Sequence, residues 1–198
     1  MDVIPMILAV SAGLALAASC GFRIFIPPLV MSLAAHLGYL DLAEDLSWLA
    51  SYPAVIVLGV ATFGEILAYY IPWFDNLLDS VATPVASLAG ILVAAASFGE
   101  MDPVLKWSLA LIAGGGGAGV VQLGTAAVRG ASTFTTGGIG NPAVATGENV
   151  AAATISVMAI IIPIIGIILF GTAVVLVIRH IRTKRRSTTP ENETLDSV

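Results

Sequence analysis

Cysteine is all but missing from this chain. Cys20 stands alone among 198 residues, which excludes an intrachain disulfide and a metal–thiolate site. Histidine is also scarce, and neither His36 nor His180 has a His, Cys or carboxylate neighbour at ligand spacing, so no cofactor is expected. Charge is sparse as well: 11% of residues are charged, against about a quarter in soluble domains. Five of the eight basic residues fall between Arg179 and Arg186, so no basic face for nucleic acid exists. No Lys or Arg precedes the first apolar run. Leu16-Ala17-Ala18-Ser19-Cys20 has the outline of a cleaved lipoprotein signal, but apolar sequence continues through Ile24 to Val30 and reads as a retained first helix.

Long apolar runs are what remain: 58% of the residues are hydrophobic and the mean hydropathy is +0.98. Ile4 to Phe22 gives 19 residues without a charge, close to the roughly 20 that cross a hydrocarbon layer. Further spans are expected over Pro53 to Trp73, Val81 to Phe98, Val104 to Val128 and residues 150–178, about five transmembrane helices in all. Ile24 to Leu40 is apolar but holds Pro27-Pro28, and two missing backbone donors predict a broken or re-entrant element. The Gly-, Thr- and Ser-rich stretch from Arg129 to Asn141 reads as too irregular for a span, which makes residues 130–149 a second re-entrant candidate. Asn141 before Pro142 reads as a helix N-cap. The fold class is an all-α polytopic membrane protein, with a transmembrane domain over residues 1–180. A basic, then polar and disordered tail over 181–198 follows, and its basic flank places the C-terminus in the cytoplasm.

One stretch occurs twice. Val144 to Ala151 restates Val60 to Ala68 with one residue dropped, and each copy sets a carboxylate, Glu148 or Glu65, in an apolar run. Ala12-Gly13 before Arg23 is echoed by Ala118-Gly119 at the same distances before Arg129. This suggests a duplication, repeat 1 over about 4–98 and repeat 2 over about 104–178. Three intervening crossings would invert the repeats, as in many transporters. If Ile24 to Leu40 crosses fully, the inversion disappears.

A charge at the bilayer centre costs roughly 2.5 to 3.5 kcal/mol on insertion scales, so Glu65 and Glu148 need a partner charge or a wet cavity. Arg23 and Arg129 are the natural partners, and Thr135, Thr136 and Asn141 are candidates to line such a cavity. Asp75 and Asp79, four apart, are weak candidates for holding Mg²⁺ against a lipid diphosphate; the plainer reading is two solvated acids on a short connection. Gly115 and Gly119 form a small-residue face suited to close helix packing, including packing against a second copy of the chain.

The run from Glu65 to Asp79, the Pro84 to Gly90 stretch, and Thr135 to Pro142 with Glu148 resemble a bacterial inner-membrane family known as domain of unknown function 4126. The resemblance covers roughly residues 10 to 175 and implies no activity, substrate or cofactor. On the residues themselves, the expected function is a small permease or channel-like protein for an ion, small solute or lipid, with the bilayer as its surroundings. The alternatives are a non-transporting membrane scaffold and a Mg²⁺-dependent lipid-modifying enzyme.

Overall fold

The computed structural model describes residues 3–71, 74–99, 101–163 and 172. The continuation of the last span to 178, Trp73, the Arg179–Arg186 cluster, His180 and the 181–198 tail lie outside the described residues. Every regular element among the described residues is helical.

Helix α1 (Val3–Ser19) ends in a turn through Arg23. Pro27 and Pro28 then occupy the first turn of α2 (Ile26–His36), where a missing N–H removes no helical bond. The proline pair therefore starts a helix where the sequence predicted a break. That helix is 11 residues long, about 17 Å, and ends before Gly38, whose φ of +79° suits a residue without Cβ. A short 3-10 helix (Glu44–Ala50) leads to α3 (Tyr52–Tyr69), capped by Ser51, which accepts from the Ala54 amide at 3.3 Å. Helix α4 (Phe74–Ser97) takes in Pro84. Asp102 caps α5 (Pro103–Leu109) by accepting from Val104 N and Leu105 N. A π-helical turn (Ala110–Gly115) then joins α5 to α6 (Gly116–Thr136) in one rod of 34 residues, about 51 Å long.

The segment after Arg129 is thus helical rather than irregular. Thr135 and Thr136 direct their hydroxyls back to Ala131 O and Ser132 O at 2.8 and 2.7 Å, so their polar groups are met on the helix itself. Termination waits for Gly137 and Gly138, with φ of +64° and +89°. Helix α7 (Asn141–Ile161) follows with Gly140, not Asn141, at the N-cap. Asn141 is instead its first helical residue and donates to Thr133 Oγ1 at 3.0 Å.

Packing fixes the helix directions. Gly13 lies against Ser97 and Phe98 while Ala17 O faces Gly90, so α1 and α4 are antiparallel. Gly90 meets Gly114 and Ala118 while Asp79 meets Arg129, so α4 and α6 are antiparallel too. The arginine-bearing ends of α1 and α6 consequently point the same way. An inverted repeat would oppose them, and the reason they agree is α2. Its start lies beside Glu65, near the end of α3, and its His36 reaches Ala50 O, before the start of α3. The short helix, with the turn after it, carries the chain back to the opposite end of the bundle.

Helix α4 crosses the α5–α6 rod at backbone contact. A Cβ on Gly90 would stand 2.7 Å from Gly114 O, and one on Gly115 would stand 2.7 Å from Ile91 Cγ1. The face holding Gly115 and Gly119 is thus covered by α4 of the same chain. On the outer surface, Val57, Val60 and Phe63 of α3 are 66, 68 and 65% exposed. Three helical stretches, α3, the α5–α6 rod and α7, are long and apolar enough to cross a membrane. So much outward apolar surface calls for lipid as its solvent, and the chain is a membrane protein.

Candidate functional site: a buried arginine and carboxylate cluster

The buried polar residues of three helices fall on single stripes. On α3 they are Thr62, Glu65 and Tyr69; on α6, Gln122, Thr125 and Arg129; on α7, Asn141, Glu148 and Ser156. Spacings of three, four, seven or eight keep each set on one helix face. The stripes of α3, α6 and α7 converge with the α1–α2 turn and the start of α4 about a turn or two inside one end of the bundle. Arg23 and Arg129 are 1 and 2% exposed there, the largest fully buried side chains in the described chain.

Arg129 is held on every side. Its Nε and Nη2 donate to Asp79 Oδ2 and Oδ1 at 3.0 and 2.6 Å, and Nη1 donates to Glu148 Oε2 at 2.5 Å. Gln122, with its amide nitrogen donating to Gly21 O at 2.8 Å, accepts from Nη2 at 3.2 Å. The pairing with Asp79 is the two-pronged geometry that a guanidinium and a carboxylate favour. Asp79 is therefore an internal counter-ion within α4, not a solvated acid on a connection. Both of its oxygens already face the Arg129 cation; the side chain of Asp75, the other candidate for Mg²⁺, lies outside the described residues.

Arg23 is held less completely. Nε donates to Asn149 Oδ1 at 2.5 Å, Nη2 donates to Ala145 O at 3.1 Å, and Nη2 also lies 3.1 Å from Glu148 Oε2. Both arginines thus converge on one oxygen of Glu148. Among the described residues, Arg23 Nη1, Glu148 Oε1 and Thr62 Oγ1 are buried with no hydrogen-bond partner. The Tyr69 ring lies against both guanidiniums, its centroid 3.9 Å from Arg23 Cζ and 4.7 Å from Arg129 Cζ. Its π-system, negative over the ring face, attracts both cations.

Glu65 does not use an arginine as its hydrogen-bond partner. Its Oε1 and Oε2 accept from Ile24 N at 2.7 Å and Phe25 N at 3.0 Å, the free amides ahead of α2. A carboxylate at a helix N-terminus meets both unsatisfied donors and the positive end of the helix dipole. The duplicated glutamates therefore do different work, one capping a helix and one bridging two arginines.

Of the residues singled out from sequence, Arg23, Glu65, Arg129 and Glu148 come together. Thr135 and Thr136 are exposed near the α6–α7 turn, and Asn141 stands two turns before Glu148 on the same buried stripe. Tyr69, Gln122, Asn149 and the structural role of Asp79 were not anticipated. Tyr69 follows Glu65 by four and Gln122 precedes Arg129 by seven, a helical-face signal that was available for both. Nearer the surface, Tyr70 Oη and Thr146 Oγ1 share a hydrogen bond of 2.7 Å between α3 and α7. At the opposite end, Lys106 binds Asp45 at 2.7 and 2.8 Å beside a recess of about 580 Å³ lined by Glu44, Asp102 and Trp107.

A family model described as a domain of unknown function (DUF4126) matches residues 10–183. No curated protein and no solved structure matches the chain.

Proposed function

The chain belongs to the DUF4126 family, and from its buried cluster we propose a permease or channel-like protein of the bacterial inner membrane for an ion, small solute or lipid. In this reading the Arg23–Glu148 pair is the contact for the transported species. The observation that carries it is the difference between the two arginines. Arg129 is fully engaged, as a structural clasp requires, whereas Arg23 Nη1 and Glu148 Oε1 are buried and unpartnered on groups that already touch. Each unmade buried bond costs about 1 to 3 kcal/mol. A donor and an acceptor left open on one ion pair suit a polar visitor that bonds to both.

The membrane passes in this reading are α1, α3, α4, the α5–α6 rod and α7, with α2 as a shorter return. The C-terminus lies in the cytoplasm on the strength of the Arg179–Arg186 cluster.

The test is flux in proteoliposomes across a panel of ions, small neutral solutes and fluorescent lipids. Arg23→Gln should keep the folded yield and reduce flux of one class at least tenfold, while Gly116→Ala, far from the cluster contacts, should not. Absence of flux for every class in folded protein, or flux indifferent to Arg23→Gln, would overturn the reading. The scaffold alternative draws on one specific observation, the saturation of Arg129 by Asp79, Glu148 and Gln122. It is what those outcomes would favour.

A further inference from the structure

We propose that Glu148 is a proton carrier, taking up H⁺ on Oε1 and returning it, so that the ion handled at the cluster is a proton. The inference rests on the Arg23–Glu148 pair being the exchangeable part of the site, and it begins with a charge count. Facing Glu148 are Arg23 from the α1–α2 turn, Arg129 from α6, Glu65 and Tyr69 from α3, and Asp79 from α4 through Arg129. Asn149 adds a neutral amide from α7 itself. Helix α2 contributes backbone amides only, since its one ionisable residue, His36, is bound to Ala50 O at its far end. Three carboxylates therefore stand against two guanidiniums. One added proton balances the cluster at two charges of each sign, the state that hydrocarbon surroundings favour.

Geometry then selects the carboxyl. Asp79 presents both oxygens to Arg129, and Glu65 presents both to backbone amides. A proton on either would have to share an oxygen with a donor already in place. Glu148 alone concentrates its bonds on Oε2 and leaves Oε1 unpartnered. Protonation there forms one O–H bond on Oε1 and breaks one O–H bond of hydronium, leaving water, with no change of oxidation state and no contact of the cluster displaced.

The consequence falls unequally on the two arginines. A neutral Glu148 still accepts at Oε2 but no longer attracts as an ion. Arg129 keeps Asp79 as counter-ion, whereas the remaining described hydrogen bonds of Arg23 go to the neutral Asn149 and Ala145. Arg23 is thus the group that loosens, and with it the α1–α2 turn from α7.

Infrared difference spectroscopy of the full chain in liposomes, on lowering the pH, reads this directly. The expected result is a carbonyl band of a buried carboxylic acid that appears on acidification. It should shift when glutamate side-chain carboxyls carry ¹³C, persist in Glu65→Gln and Asp79→Asn, and vanish in Glu148→Gln. Glu148→Asp guards against a variant that fails to fold: it keeps a carboxyl, so the band should remain but lose its sensitivity to labelled glutamate. A band insensitive to labelled glutamate in the wild-type chain, one that survives Glu148→Gln, or no such band in folded protein would overturn the proposal. Proton flux in proteoliposomes separates this from the permease reading. A Glu148 band without passage of protons or solute would sink the permease and leave the proton site standing.

Discussion

Arg129 illustrates what a buried charge demands of its neighbours. Removing it as Arg129→Gln leaves Asp79 and Glu148 short of their main cation, and breaking one side of a buried ion pair costs on the order of 3 to 5 kcal/mol. We expect that loss in thermal unfolding of the detergent-solubilised protein, with partial recovery in the Arg129→Gln/Asp79→Asn double variant. Arg23→Gln should cost distinctly less, because its described hydrogen bonds besides the Glu148 pair go to neutral groups; equal losses would contradict the division of labour between the arginines. Glu65→Gln supplies a third comparison. Its role as a cap for α2 predicts a loss of roughly 1 to 2 kcal/mol. A loss as large as that of Arg129→Gln would mean that Glu65 answers a buried cation instead.

Between helices, the glycines at the crossing of α4 and the rod set how near the backbones come. Gly90→Ala places a methyl 2.7 Å from both Gly114 O and Ala118 Cβ, and overpacking of this kind costs about 1 to 3 kcal/mol. Gly116→Ala meets nothing within 4 Å and should leave the melting temperature unchanged or slightly raised, since alanine favours a helix by up to about 1 kcal/mol. Comparing the two variants by thermal unfolding tests whether contact at Gly90 matters beyond helix propensity. The π-helical turn Ala110–Gly115 lies at this same crossing. A wider turn there changes the facing of the residues that follow, including the Gln122 and Arg129 stripe.

At the scale of the whole molecule, the charged cluster and the Lys106–Asp45 pair stand at opposite ends of the bundle. Cysteine scanning reads this without a functional assay. In a Cys20→Ala background, Glu44→Cys and Ile139→Cys, both at exposed positions, should react with a membrane-impermeant maleimide from opposite sides of sealed vesicles. Reaction of both from one side would rule out the arrangement of passes proposed above. The native Cys20 is fully buried and should stay unlabelled until the protein unfolds.

The sequence alone made the helical membrane class legible, because runs without charge leave few other ways to satisfy the backbone in lipid. It also placed the starts of α3 and α5 to within a residue, since Pro53 and Asp102-Pro103 act locally. It singled out four of the charged residues, because an ion in an apolar run is conspicuous whatever its partner. It misjudged Pro27-Pro28 and the threonines before Gly137, where a helix start resembles a break and self-bonded hydroxyls resemble a loop. Which residues meet was set by how the helices pack. Glu65 faces two backbone amides because α2 turns back along α3, and that same return sets α1 and α6 parallel. Asp79 becomes a counter-ion because α4 runs antiparallel to α6. The pairings of the cluster join residues 19 to 126 positions apart in the chain, and no local periodicity carries that distance.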